Sequence, residues 1–89
     1  MVVTVKFIGA FRSMSGKSRL ALKFEKTSPL RETLNEIIEK APGLKQALSD
    51  PKSRMLILIN GKEISVLKGL DTLLEDEDEI VFVPVLHGG

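Results

Sequence analysis

Eighty-nine residues with 43% hydrophobic content and a net charge of +1 describe one folded domain, with no room for a second core and too much apolar content for a disordered tail. The chain has no cysteine, which excludes disulfides and thiolate metal sites and fits a reducing compartment. Thirteen basic residues against 12 acidic, with no Trp or Tyr and four Phe, argue against a protein that neutralises many phosphates or stacks nucleobases. The Lys and Arg residues, among them Lys17 and Arg19, Lys23 and Lys26, Lys52 and Arg54, are spread as on a solvated face.

The N-terminal stretch Met1 to Ile8 is apolar, but Lys6 interrupts it and neither a basic leader nor a cleavage site accompanies it, so it does not read as a signal peptide. No stretch approaches membrane-spanning length. These features point to a cytoplasmic protein with no membrane and no nucleic-acid partner. Low Asn, Gln and His with abundant Lys and Glu hint at a thermophilic source.

Residues 2–8 alternate, with Val3, Val5 and Phe7 on one side and Thr4, Lys6 and Ile8 on the other, the pattern of a half-buried strand. Gly9, Ser13, Ser15, Gly16 and Ser18 mark residues 9–18 as a loop. Leu20, Leu22 and Phe24 then alternate with polar neighbours, giving a second strand close enough to form an antiparallel hairpin with the first. Ser28 is placed to cap a helix whose first turn holds Pro29. Leu30, Leu34, Ile37, Ile38 and Ala41 form its apolar stripe, with Thr33 and Glu36 off it, and Pro42-Gly43 stops it. Leu44 to Ser49 add one short turn.

Met55 to Ile59 is an unbroken apolar run, as in a strand covered on both faces. Asn60-Gly61 is a tight-turn signal, and Glu63 to Val66 should return as a short edge strand. Residues 67–79 read as loop, pinned by Leu70, Leu73 and Leu74. Ile80 to Val85 is the last strand, with Pro84 marking where its pairing fails because proline has no donor for the ladder. The expected fold is α+β: a mixed sheet of about five strands with one main helix on one face. Residues 1–85 should form the domain and residues 86–89 a flexible tail ending in Gly-Gly.

Catalytic constellations are missing. With one histidine, His87, near the end, neither a Cys–His pair nor a Ser–His–Asp triad can be assembled at a fixed site. The glycines of residues 9–16 fit neither a phosphate-binding loop nor a dinucleotide fingerprint. The acidic run Glu75-Asp76-Glu77-Asp78-Glu79 lacks the spacing and the glycine of an EF-hand. It reads as a solvated turn that could also steer a basic partner. No catalytic residue and no metal ligand is assigned.

The segment from Gly69 to Gly89, with Leu74, the acidic turn, the apolar strand Ile80 to Val83, Pro84 and the terminal Gly88-Gly89, resembles the C-terminal signature of the MoaD family. These proteins are small sulfur-carrying subunits of molybdopterin synthase, in the ubiquitin-like β-grasp superfamily. The resemblance extends to Phe7, Arg12 and Gly16, to Pro42-Gly43-Leu44, and to Asn60-Gly61-Lys62-Glu63-Ile64. Two positions depart from the pattern: Glu77 stands where the family usually has glycine, and Val85 where many members have a second proline. ThiS-like thiazole donors and archaeal ubiquitin-like modifiers share much of this pattern.

The resemblance implies that Gly89, supported by Gly88, is the working end. Its carboxylate, an anion at neutral pH, would be activated by an ATP-dependent enzyme of the MoeB kind as an acyl-adenylate and converted to a thiocarboxylate. A MoaE-like large synthase subunit would then receive the sulfur. No cofactor is bound by the chain itself, ATP being used by the activating enzyme, and the chain is not an enzyme alone. Glycine at 88 and 89 suits a narrow channel because it lacks Cβ. The family docks its partners through an apolar patch, which parity places at Ile8, Ile64 and Val83, although these are equally readable as covered sheet residues. Arg12 could meet a partner carboxylate. Two other readings share the terminus: a modifier joined to lysines through Gly89, and a binding module whose tail is idle.

Overall fold

The computed structural model describes residues 1–49 and 54–85. Strand β1 (Val2–Phe7) buries Val3, Val5 and Phe7 and turns Val2, Thr4 and Lys6 outward. It pairs antiparallel with β2 (Arg19–Lys23), from Val2 opposite Lys23 to Lys6 opposite Arg19. Between them residues 10–15, expected as loop, form a short helix, α1 (Ala10–Ser15). Gly9 (φ 60) and Gly16 (φ 72) bracket it in left-handed conformations, and the Gly16 N–H closes it onto the Arg12 carbonyl at 2.9 Å. Six residues are too few to hold a helix in water. Burial of Phe11 at 4% exposure, its ring 6.2 Å from that of Phe82, supplies what local propensity does not.

Strand β3 (Ser28–Pro29) leads into α2 (Leu30–Lys40). Ser28 does not cap the helix. It pairs with Leu74 of β6 (Leu73–Leu74), and the Leu30 N–H is met instead by the Thr72 carbonyl at 2.8 Å. A backbone acceptor from a distant loop thus replaces the side-chain cap. Leu30, Ile37 and Ala41 are buried as the periodicity requires, but so is Thr33, at 0% exposure. Its hydroxyl donates to the Pro29 carbonyl at 3.5 Å, which lets a polar side chain enter the core. After a 3₁₀ turn at Pro42–Leu44 comes α3 (Lys45–Ser49).

Strands β4 (Met55–Ile59) and β5 (Lys62–Glu63) are joined by Asn60 (φ 51) and Gly61 (φ 84), both left-handed as a tight type I′ hairpin demands. The return strand is shorter than expected. The Glu63 carboxylate accepts the Ser65 N–H at 2.6 Å and bends Ile64–Val66 into a 3₁₀ turn. A second 3₁₀ turn covers Gly69–Asp71. Of the leucines expected to pin this region only Leu74 does so, at 0% exposure, while Leu70 and Leu73 point out at 43% and 60%.

Strand β7 (Glu79–Pro84) lies at the centre of the sheet, in the order β2-β1-β7-β4-β5. It runs parallel to β1 and antiparallel to β4. The α-helices lie over the face that carries Val3, Val5, Phe7, Ile57, Ile59, Ile80 and Phe82, with the Phe7 and Phe82 rings stacked at 5.9 Å. Pro84 does not end the pairing on the β4 side. It stands opposite Met55, and the Val85 N–H still reaches the Arg54 carbonyl at 3.2 Å. Successive residues of a strand turn their N–H groups to opposite sides, so the donor that proline lacks would face β1. That register stops at Phe7 opposite Phe82.

Two backbone positions give direct tests. A Cβ on Gly43 would run into the Met14 carbonyl oxygen, a backbone atom that cannot rotate away. Gly43→Ala should therefore cost about 1–3 kcal/mol in denaturant unfolding, and an unchanged midpoint would refute the close approach of α1. Glu77 holds φ 69 without being glycine, a conformation costing about 1–2 kcal/mol for a residue with Cβ. Glu77→Gly should raise stability by roughly 0.5–1 kcal/mol after the extra unfolded-state entropy of glycine is subtracted.

Candidate functional site

The face of the sheet opposite the helices is left open by the described residues. Cross-strand pairs share a face, and the registers lay one row across five strands: Arg19, Lys6, Val81, Leu58 and Glu63. In the next row toward the end of β7, Leu56 stands opposite Val83. Extending the β1–β7 register by one residue brings Ile8 alongside Val83, and the Ile8 N–H indeed donates to the Phe82 carbonyl at 3.3 Å. Ile8 and Leu56 are 45% and 40% exposed, and Leu58, Val81 and Val83 are half-buried. The result is a contiguous aliphatic surface between a cationic edge and an anionic one, of the kind that marks a protein-contact site.

Of the three residues assigned to a docking patch, Ile8 and Val83 lie together here. Ile64 does not join them. It sits in the 3₁₀ turn after β5 and packs partly buried against the core cluster, because its neighbour Glu63 pairs with Leu58 on the open face and the next residue turns to the covered side. Leu56, Leu58 and Val81 occupy the patch instead. The unbroken run Met55 to Ile59 hid its own parity: it is covered on one face, with Ile57 and Ile59 buried and Leu56 exposed.

The patch lies at the end of the sheet where β7 leaves. There Gly9, in its left-handed conformation, abuts the Pro84 ring, 3.0 Å from where its Cβ would stand. A side chain at position 9 would press on the Pro84 ring at the end of β7. Gly88 and Gly89 themselves lie outside the described residues.

The acidic run sits at the opposite end of the sheet. Asp76 accepts the Val2 N–H at 2.7 Å, and the Glu77 N–H donates to the Val2 carbonyl at 2.8 Å. Asp78 accepts from the Glu75 N–H and from the Asn60 side-chain amide, at 2.7 and 2.8 Å, while the Asn60 side-chain oxygen accepts the Glu79 N–H at 2.9 Å. These carboxylates clamp the start of β1 and the β4–β5 hairpin to the turn before β7. Among the described residues no three His, Cys, Asp or Glu side chains are placed to hold a metal ion, and no helix is long and apolar enough to cross a membrane.

The fold and this open face can be set beside known proteins. The model of the ThiS family matches residues 5–89. The chain belongs to the ThiS family. Small archaeal modifier protein 3 of Haloferax volcanii is 25% identical over the full length of both chains. The solution structure of small archaeal modifier protein 1 of Methanosarcina acetivorans is 36% identical, with a TM-score of 0.80 over 99% of this chain and 96% of that one. A chain from the complex of subunits 1 and 2 of the molybdopterin-converting factor of Helicobacter pylori is 28% identical, with a TM-score of 0.66 over the whole of both. The fold is therefore the ubiquitin-like β-grasp, and the protein is a ThiS/MoaD-like small carrier by family.

Burial separates the patch residues by experiment. Ile8→Asp should cost no more than about 1 kcal/mol, because nearly half of the side chain is already in water and a carboxylate there keeps its hydration. Ile64→Asp should cost more than about 2 kcal/mol, because it forces a charge against the core. Equal losses in thermal unfolding would contradict the placement of Ile64.

Proposed function

We propose that this ThiS-family chain is a sulfur carrier of the MoaD type and has no catalytic activity of its own. The observation that carries the reading is the family match, which runs through β7 to Gly89 on a chain whose open aliphatic face adjoins the exit of β7. In the proposed sequence a Gly89 carboxylate oxygen attacks the α-phosphorus of ATP, held by an activating enzyme of the MoeB kind, and pyrophosphate leaves. Hydrosulfide then attacks the acyl carbon, AMP leaves, and loss of the remaining sulfur-bound proton gives the thiocarboxylate. As the small subunit of molybdopterin synthase, docked on a MoaE-like large subunit, the chain delivers that sulfur to the molybdopterin precursor. The complex of the two converting-factor subunits from Helicobacter pylori supports such a pairing.

The protein's part is positioning: one acyl group is presented to a partner seated on the docking surface. On this reading Ile8, Val83 and Leu56 seat the partner, and Gly88-Gly89 enter its active site, where a Cβ would have to be accommodated.

A second reading uses the same activated terminus, attacked by a lysine amine to give an isopeptide bond. It is favoured by the 36% identity to small archaeal modifier protein 1 and by the full-length relation to small archaeal modifier protein 3. Mass spectrometry of the C-terminal peptide from native cells tests both. Oxygen-for-sulfur exchange on Gly89 is expected for the carrier, and a Gly89 branch on lysines for the modifier. A terminus that stays a plain carboxylate with activating enzyme and ATP present would refute both. One residue appended after Gly89 should lower adenylation at least about 100-fold, since the reacting carboxylate is displaced from its near-attack position.

A further inference from the structure

Lys6 and Arg19 stand directly opposite one another on β1 and β2, on the open face. Like charges at opposed positions of an antiparallel pair destabilise it. Lys6 is compensated by Glu79 at 3.0 Å, but Arg19 has no carboxylate partner among the described residues. Two adjoining depressions open beside this pair. One, of about 500 Å³, is lined by Gly9, Arg12, Ser13, Gly16, Lys17 and Ser18. The other, of about 400 Å³, shares Gly9, Arg12 and Ser18 with it and adds Lys6, Ile8 and Arg19. No carboxylate lines either. Cations that are scattered in the chain are thus gathered around one concavity by the folding of α1 and the β1–β2 register.

The geometry points to a docking groove for an acidic peptide segment of the protein that engages the C-terminal end of this chain. Two guanidinium groups supply forked donors that match carboxylates, and Lys17 and the Ser13 and Ser18 hydroxyls add further donors. The five-residue acidic run lies at the far end of the sheet, clamped to Val2, so the field along the molecule orients an anionic partner toward the groove. Phe7, the one aromatic residue at the groove, is 2% exposed, so nothing offers a nucleobase a stacking face. Ile8 belongs both to this groove and to the aliphatic patch. A partner seated on the patch therefore lays its rim across the cations, where charge sets orientation and association rate. The inference rests on the carrier reading only for which partner supplies the segment.

The groove is tested on the full chain, by fluorescence anisotropy with a fluorescein-labelled hexaglutamate peptide at about 0.15 M salt, where charges more than ~10 Å away are screened. Arg12→Gln with Arg19→Gln should weaken binding about tenfold or more. Lys23→Gln with Lys26→Gln, an equal loss of charge away from the groove, should change it less than about twofold. Arg19→Glu separates binding from folding: it makes an opposite-charge pair with Lys6, so the melting temperature should not fall while peptide binding is lost. Equal effects of the two double variants would overturn the groove. So would inorganic phosphate or oligothymidylate displacing the peptide at concentrations below those of unlabelled hexaglutamate, which would reveal a phosphate site instead. With the activating enzyme, the Arg12→Gln, Arg19→Gln chain should show a raised KM at unchanged kcat, and an unchanged KM would overturn assignment of the segment to that enzyme. A wild-type chain that binds the peptide but is never adenylated refutes the carrier reading and leaves the groove standing.

Discussion

The parallel pairing of β1 with β7 joins residues 4–7 to residues 79–82 at the centre of the sheet, and the other elements take their positions from it. It stacks Phe7 on Phe82 and gives Phe11 a ring to pack against, which is what turns residues 10–15 into a helix. It delivers the last residues of β7 beside Ile8 and Gly9, between the aliphatic face and the groove under α1. Parallel strands need a long crossover, and here nearly the whole chain serves as that crossover. A contact of such sequence separation is expensive in loop entropy, and the clamp between the acidic turn and the start of β1 helps to hold it once formed.

The described residues bury the sheet on one face only. A β-grasp of this size has one helical layer to spend on its core, and α1, α2 and the 3₁₀ turn at Pro42–Leu44 use it on the side of Val5, Ile37 and Phe82. The aliphatic residues left on the other face contribute little to the core, yet they form a band between the cations of β1 and β2 and the anion of β5. The surface that suits a partner follows from the economy of the fold together with side chains that the fold does not need.

The turn before β7 carries backbone strain. Glu77 accepts a left-handed conformation without being glycine, and its N–H is bonded to the Val2 carbonyl. Asp76 and Asp78 are occupied by backbone and amide donors from β1, the turn itself and Asn60, so the run is held by geometry rather than merely solvated. That arrangement also keeps five acidic residues at one end of the sheet and away from the groove beside α1.

The sequence by itself determined the strands of clear alternation, the apolar stripe of α2, the Asn60-Gly61 turn and the α+β class, because each is a local pattern of period 2 or 3.6 or a local demand for positive φ. It also carried the family, through residues that lie close together along its C-terminal third. Only the tertiary structure decided that Thr33 is core and Leu73 surface, that Ser28 pairs with Leu74 and leaves the cap to Thr72, and that Ile64 belongs with the core while Leu56 and Leu58 face out. An unbroken apolar run such as Met55 to Ile59 has no readable parity until a neighbouring strand fixes its register. The gathering of Lys6, Arg12, Lys17 and Arg19 was likewise invisible, since charges dispersed along a chain become a site only when pairing across strands and the docking of a short helix bring them to one place.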